Sequence, residues 1–145
     1  REIVEDEPKK VDDIANHLKS VVRKHCEKGL LSLSFVHGLL FGLLFECYSS
    51  TSVKCRDAAQ IMIPYVKEVA PAMCTTRKGV QSLIRCIDYA SAKDRKRIVK
   101  CFKDDLFKES EPGLAQHPFA HLALLKILDV VDDTKLVRKF ILTII

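Results

Sequence analysis

The chain has 145 residues, of which 48% are hydrophobic, with only 5 glycines and 5 prolines. This is the size of one ordinary domain, and the composition favours an ordered core and argues against disorder. The formal net charge is +5, and the opening REIVEDEPKK lacks the basic and apolar regions of a secretory signal. We expect residues 1–10 to be a solvated lead-in and, because they begin without Met, part of a longer chain.

Helical periodicity dominates the chain from residue 11 onward, and no convincing strand stands out. An amphipathic helix is predicted over 11–29, and a nearly wholly apolar segment follows it. The next predicted helix is disturbed by Pro64 and Pro71, because proline cannot complete the backbone hydrogen bonds of a helix. The remaining helices are predicted over 78–90, 92–107, 119–131 and 132–145, with a break at ESEPGLAQHP.

Mostly polar helices alternate with mostly apolar ones in units of about 40 residues, which is typical of stacked repeats. The phrase IVKCF at 98–102 resembles LVRKF at 136–140. This pattern predicts an all-α fold, an α-solenoid in which each helix pair buries its core against the next pair. The apolar helices align in three columns at offsets of 47 and 40 residues: Leu33, Val80 and Ala120; Val36, Leu83 and Ala123; Leu40, Ile87 and Ile127.

The apolar stretch SFVHGLLFGLLF raises the alternative of a membrane span, since Gly38 and Gly42 have the spacing of a membrane-helix contact. The apolar run 30–45 has 16 residues, short of the roughly 20 that a span needs. Its aligned partner helices carry charges. We therefore predict a buried solenoid helix, with Leu40 and Leu43 in the core and with both glycines allowing close helix packing.

The net charge is concentrated in one window of the sequence. Residues 77–103 hold nine basic side chains against two acidic ones. Such a run is often only a solvated face, but a phosphate backbone rewards a dense basic patch through counterion release. We predict nucleic-acid contacts from Arg77, Lys78, Arg85, Lys93, Arg95, Lys96, Arg97, Lys100 and Lys103. Aromatic residues are few and Trp is absent, so a single-strand stacking platform is not favoured.

Other chemical patterns in the sequence are weak. His117 and His121 have the spacing of a helical metal pair, but Pro118 lies between them and no third ligand is evident, so no metal site is predicted. The six cysteines form no CxxC pair and are expected to be reduced, half-buried residues of an intracellular protein. No Gly-rich phosphate loop or GxSxG is present, and we predict neither an enzyme nor a cofactor.

Two phrases resemble a known family, the pumilio-repeat proteins of the Puf-A type. CTTRKGVQSLIRCIDYASAKDRKRIVK resembles the family segment with HT-x-DG followed by PKDRK, and HPFAHLALLKILDVVDDTKLV resembles the next repeat with SHLVLL and DDTKLV. The chain departs from the family at Arg77-Lys78, where His and Asp are usual, and at Ser91-Ala92, where Thr-Pro is usual.

The resemblance implies that residues 1–145 are one segment from the middle or later part of a longer pumilio-type solenoid. About three repeats are expected, at 11–50, 53–91 and 93–131, with a partial repeat at 133–145. The family reads RNA bases with three side chains of each inner helix, two on a base edge and one stacking.

The positions that the resemblance assigns to base reading carry unsuitable side chains. They are Leu33, Ser34 and His37, then Val80, Gln81 and Ile84, and then Ala120, His121 and Leu124. Base edges need hydrogen-bonding side chains in pairs, which these sets do not supply. His121 remains a candidate for stacking on a base. We therefore expect little base specificity.

The resemblance implies a protein of the nucleus and nucleolus that acts in large-subunit ribosome biogenesis. Expected partners are structured RNA, including an rRNA precursor, double-stranded nucleic acid and pre-ribosomal proteins, with mRNA translational control as a further role. No membrane and no small-molecule substrate are expected. The alternative is a helical-repeat scaffold for protein docking, in which the basic patch binds an acidic partner.

Overall fold

The computed structural model describes residues 8–49, 51–103 and 113–140, and every regular element in these ranges is helical. The all-α prediction is therefore confirmed. The helices are α1 (Pro8–Glu27), α2 (Ser34–Phe41), a π-helical turn (Gly42–Cys47), α3 (Val53–Met73), α4 (Arg77–Tyr89), α5 (Ala92–Phe102), a 3-10 turn (Leu114–Gln116), α6 (Ala120–Val130) and α7 (Thr134–Phe140).

The helices stack in two layers. Helices α1, α3, α5 and α7 contact one another in chain order and form what we call the odd layer, whereas α2, α4 and α6 form the even layer. Helix α3 also contacts both α2's π-helical continuation and α4, so the layers are joined by successive helices. This alternation is the architecture of an α-solenoid, and it confirms the predicted fold class.

The core lies between the two layers and contains the apolar columns found in the sequence. Leu40 and Leu43 are fully buried, as predicted, and Ile98, Val99 and Phe102 of α5 also face the core. Burial of this kind is the main stabilising contribution in a helical repeat. None of the described helices combines the length and the apolar character needed to cross a membrane.

The ends of several elements differ from the prediction. Helix α1 begins at Pro8, so residues 8–10 of the expected lead-in are helical. Helix α3 runs through Pro64 and Pro71 but leaves helical geometry at Val69, where φ is −129° and ψ is 19°. Proline at 71 cannot donate to the preceding turn, which accounts for the break just before it. Residues 104–107 of the predicted fifth helix and 141–145 of the last one lie outside the described residues.

The first repeat offset of 47 residues is wrong. Leu33 is the N-cap of α2 and is 43% exposed, while Thr76 is the N-cap of α4, so equivalent positions of these two helices are 43 residues apart. His37 therefore corresponds to Val80, and both are fully buried. The error arose because a shift of one helical turn keeps apolar residues aligned with apolar residues. The second offset, 40, aligns buried residues with buried residues, namely Val80 with Ala120, Leu83 with Ala123 and Ile87 with Ile127, although the N-caps of α4 and α6, Thr76 and Phe119, are also 43 residues apart.

The expected role of the paired glycines is also wrong. A Cβ atom on Gly38 would meet nothing within 4 Å, and one on Gly42 would make only ordinary contacts at 3.6 Å. The close approach is at Gly79 instead, where a Cβ would lie 2.2 Å from the carbonyl oxygen of Met73. Glycine is needed where backbone approaches so closely, and here that place is the first turn of α4.

Candidate nucleic-acid interface

The structure divides the predicted basic cluster between the two layers. The α4 basic surface, in the even layer, consists of Arg77, Lys78 and Arg85. Its members lie within eight positions of one another, and all three side chains reach the solvent at least in part. The remaining cations of the cluster lie on α5 in the odd layer. His121 is exposed in the first turn of α6.

Helix α5 presents an exposed row of cations that we call the α5 basic stripe: Lys93, Lys96, Arg97, Lys100 and Lys103. Their spacing of three and four residues places them on one side of the helix. The other side holds Ile98, Val99 and Phe102 in the core. The hydrophobic pattern thus fixes the direction in which the charges point.

Most of the stripe is free of carboxylate partners. Lys96 is paired, since its Nζ lies 3.0 Å from a carboxylate oxygen of Asp133. In the part of the chain that the structure describes, Lys93, Arg97 and Lys100 form no ion pair. Three cations on one helix face are therefore available to an anionic ligand.

Arg95 points away from the stripe and holds two helix ends. Its Nε donates to the carbonyl of Ile87 at 3.0 Å, its Nη2 donates to that of Asp88 at 3.1 Å, and its Nη1 donates to that of Val130 at 3.3 Å. Carbonyls at a helix C-terminus lack intrahelical partners and carry partial negative charge. We therefore assign Arg95 a structural role, joining the ends of α4 and α6, and leave it out of the interface.

A capping arrangement sets where α5 begins. The Ser91 side chain accepts from the backbone N–H of Asp94 and donates to its carboxylate, and Lys67 of α3 donates to the same carboxylate at 3.4 Å. The Ser91 hydrogen bond, followed by that of Lys67, lowers the pKa of Asp94. Hydrogen bonds that favour the charged carboxylate have this effect. The cap places Lys93 in the first exposed turn.

The α4 basic surface is built differently, on aromatic rings from α2 and from the π-helical turn that continues it. Phe41 and Phe45 stack with ring centroids 4.6 Å apart and planes 11° from parallel. Lys78 Nζ lies 5.5 Å from the centroid of Phe41, and Arg85 Cζ lies 4.3 Å from that of Phe45. Each ring is thus contacted by the other ring and by one cation. Cations are attracted to the negative face of an aromatic ring.

A buried histidine fixes the start of α4 against α2. His37 Nε2 lies 2.7 Å from the carbonyl oxygen of Leu31 and donates to it, so Nδ1 is unprotonated and accepts from the Thr76 hydroxyl at 2.9 Å. The Thr76 oxygen in turn accepts from the N–H of Gly79 at 2.9 Å. Burial lowers the pKa of His37. A Cβ on Gly79 would lie only 2.7 Å from His37 Nδ1.

The corrected repeat offset moves the base-reading positions of the first repeat. They fall on His37, Gly38 and Phe41 instead of Leu33, Ser34 and His37. His37 is buried and already hydrogen-bonded, and Gly38 has no side chain. The prediction of little base specificity therefore does not depend on the error.

Sequence reasoning missed two contributors to these surfaces, namely Phe41 and Phe45, and it counted Arg95 as an interface residue although its side chain binds carbonyls. Phe41 and Phe45 are four residues apart, and Lys78 and Arg85 are seven apart, so each pair was readable as sharing a helix face. What no local pattern contains is the contact between the two pairs, since α2 and α4 are more than 30 residues apart in sequence.

The cysteines are placed as in an ordinary core. Cys26, Cys55, Cys74 and Cys86 are buried, and burial raises the pKa of Cys26 to about 11 and those of Cys74 and Cys86 to about 12. Thiols this basic are poor nucleophiles at neutral pH. Across the described ranges, no three or more His, Cys, Asp or Glu side chains come together as metal ligands.

The chain is similar to proteins of one family along nearly its whole length. It is 32% identical over 142 residues to Pumilio domain-containing protein 12 of Caenorhabditis elegans and 28% identical over 141 residues to Pumilio homolog 3 of Danio rerio. These alignments cover 98% and 97% of this chain, but only 17% and 21% of the relatives. No family model matches the chain.

A solved structure shows the same fold. The crystal structure of human Puf-A superposes with a TM-score of 0.78 at 26% sequence identity, covering 97% of this chain and 25% of that one. The chain thus corresponds to a part of a longer array of repeats, as the sequence predicted.

Proposed function

The chain belongs to the Puf-A family of pumilio-repeat proteins, and from this membership we propose that it binds structured RNA with little base specificity. Because it spans about a fifth of the length of the relatives that it matches, the proposal concerns this segment of the array. Its contribution is contact with the phosphate backbone, which carries no sequence information.

The observation that carries the proposal is the α5 basic stripe. Lys93, Arg97 and Lys100 are exposed on one helix face without carboxylate partners among the described residues. Neutralising phosphates with such side chains releases condensed counterions, which is the main driving force of sequence-independent binding. Helix α7 packs beside α5 and exposes Lys135, Arg138 and Lys139, so the basic character continues along the odd layer.

The finer parts of the proposal follow from family membership. The RNA is an rRNA precursor, the setting is large-subunit ribosome assembly in the nucleolus, and pre-ribosomal proteins are further partners. Double-stranded nucleic acid is expected to bind through the same phosphate contacts, because a stripe of cations does not distinguish the two backbones. Control of mRNA translation would use the same surface.

Replacing the three unpaired cations tests the proposal. We expect Lys93→Gln, Arg97→Gln and Lys100→Gln together to weaken binding to any hairpin RNA. The slope of log affinity against log salt should fall by about two to three units, since each phosphate contact contributes about 0.7–0.9. Fluorescence anisotropy at several salt concentrations, with two hairpins of unrelated sequence, measures both quantities.

A triple variant of equal charge change provides the control. Arg23, Lys24 and Lys54 are exposed cations far from α5 in sequence, and two of them are paired, Arg23 with Glu27 at 3.0 Å and Lys54 with Asp12 at 2.6 Å. Changing these three to Gln should leave the salt slope nearly unaltered. Equal losses from the two triple variants would mean that only net charge matters, and an unaltered slope in the α5 variant would refute the proposed interface.

A protein-docking scaffold is the second candidate, because α6 carries an exposed apolar row. Leu122, Leu125 and Leu128 are 38%, 59% and 45% exposed and lie three residues apart. Apolar rows of this kind on a helix are typical of protein contacts. A partner protein that binds these leucines would stay bound at high salt, whereas RNA held by phosphate contacts would dissociate. The salt dependence of binding to each kind of ligand therefore separates the two functions.

A further inference from the structure

Arg85 is the one arginine of the predicted cluster whose guanidinium lies over an aromatic ring among the described contacts. Its Cζ lies 4.3 Å from the centroid of Phe45, and Phe45 is itself stacked on Phe41. A planar cation held on a ring offers a second planar surface to a ligand. Nucleobases stack on arginine planes as well as on aromatic rings.

The hydrogen-bonding groups of Arg85 are also unused. A guanidinium has five N–H donors, and in the described residues those of Arg85 have no hydrogen-bond or ion-pair partner. Arg85 is half-buried, yet no buried side-chain nitrogen or oxygen of the described residues lacks a partner, so its nitrogens reach the solvent. Arg95, ten residues on, uses the same group to bind three carbonyls.

Cations for the adjoining phosphates lie on the same helix. Lys78 is two turns before Arg85 and is anchored over Phe41, and Arg77 is exposed beside it. A nucleotide carries both a planar base and a phosphate, so it matches a flat cation flanked by further cations. A paired base offers its faces only to its neighbours in the helix, whereas an unpaired one can turn outward.

We infer that Arg85, supported by Phe45, forms a subsite for an unpaired nucleobase of the bound RNA, such as a single-nucleotide bulge. The inference rests on the proposed function and specifies the ligand: structured RNA with an unpaired base, in preference to a continuous duplex. Recognition is by stacking, so the identity of the base matters little.

The experiment uses a hairpin with one bulged 2-aminopurine and the same hairpin without the bulge. We expect the chain to bind the bulged hairpin at least about fivefold more tightly than the hairpin without the bulge, because stacking of one base contributes that much affinity. Fluorescence of the 2-aminopurine should rise on binding, because the base leaves its stacked neighbours in the RNA for the guanidinium plane. Arg85→Lys keeps the charge but removes the plane, and it should reduce the preference to within about twofold. Affinity for the paired hairpin and the salt slope should stay unchanged.

Two further variants make the result specific. Arg23→Lys is the matched control, because Arg23 is an exposed arginine of α1 that lies outside both basic surfaces, and it should leave the preference intact. Phe45→Leu keeps Arg85 but removes its support, and it should lose the preference while circular dichroism shows the helical content retained.

Two results would overturn the inference but leave the phosphate contacts of α5 standing. In one, Arg85→Lys keeps the preference for the bulged hairpin. In the other, the unaltered chain binds the two hairpins equally. If the unaltered chain bound neither hairpin, the proposed function would be refuted as well. If a hexaglutamate peptide bound in a way that Arg85→Lys weakened, while the hairpins bound alike, the surface would be a protein-docking site and the inference would be wrong.

Discussion

Helices α4 and α5 are adjacent in sequence and both rich in basic residues, yet they use their cations differently. Each begins after a hydroxyl N-cap, Thr76 for α4 and Ser91 for α5. In α4, Lys78 and Arg85 lie on aromatic rings of the neighbouring even-layer helix. In α5, Lys93, Arg97 and Lys100 project into solvent, whereas Lys96 is paired and Arg95 binds carbonyls.

The difference teaches that layer, more than local charge, decides what a basic side chain does. An even-layer cation meets the side chains of the preceding even-layer helix, because α2, α4 and α6 stack directly on one another. In the odd layer, Arg95 of α5 instead contacts the C-terminal ends of two even-layer helices, α4 and α6. A charge count over 77–103 treats these environments as one.

The largest expected effect is on the free energy of unfolding when the third residue of a helix is replaced. That residue is Gly79 in α4 and Asp94 in α5. We expect Gly79→Ala to lower the free energy of unfolding by about 3 kcal/mol or more. Its Cβ would lie 2.2 Å from the Met73 carbonyl oxygen and 2.8 Å from Thr76 Oγ1, and no flexible side-chain end is there to yield.

Asp94→Ala is the matched change in α5, where room for a side chain exists. It removes one carboxylate partner of the cap and should cost only about 1 kcal/mol. Urea denaturation followed by circular dichroism measures both variants. Equal costs at the two positions would mean that the close approach at Gly79 relaxes easily, and the contrast between the helix starts would not hold.

A second comparison sets Arg95 against Arg97, two residues apart on α5. Arg95→Met removes three hydrogen bonds to carbonyls and should lower the free energy of unfolding by about 2–3 kcal/mol. Arg97→Met should change it by less than about 0.5 kcal/mol, because Arg97 is exposed. RNA affinity should respond in the opposite order, falling with Arg97→Met in anisotropy titrations. Stability that fell equally in both would contradict the structural role of Arg95.

The smallest expected effect is the pH dependence of stability. His37, which hydrogen-bonds the N-cap of α4, and Asp94, at the start of α5, titrate in different pH ranges. Burial lowers the pKa of His37 below its ordinary 6.5, so the unfolded chain binds a proton more readily there. The stability that His37 contributes is therefore full above pH 6.5 and is lost as pH falls below that value. Asp94 also has a lowered pKa, so its contribution is full above its ordinary 3.8 and is lost only at more acidic pH.

Denaturation midpoints measured from pH 7.5 down to pH 3 test this separation. His37→Gln should flatten the decline between pH 6.5 and 5, whatever its effect on absolute stability. Asp94→Asn should alter the curve only below about pH 4, where the lowered pKa of Asp133 contributes as well. A decline near pH 6 that survived His37→Gln would show that another group is responsible.

Much of the fold was predictable because its signals are local. Apolar residues at helical spacing indicated each helix, and the burial of Leu40 and Leu43 followed from the same pattern. The candidate site was only partly predictable. The exposed cations of α5 were identified, but Arg95 was counted with them, and the stacked Phe41 and Phe45 were not recognised.

The sequence by itself determined the all-helical solenoid, the family and the face of α5 that points to solvent, because all three depend on residue types repeated at short spacing. Only the tertiary structure decided the division of the basic cluster between layers and the corrected offset of 43 between α2 and α4. It also decided that Gly79, and neither Gly38 nor Gly42, is the tightly packed glycine. The physical reason is separation along the chain: Arg95 meets a carbonyl 35 residues away, and His37 meets a hydroxyl 39 residues away. Periodicity orients a side chain on its own helix, but it does not say which other helix lies opposite.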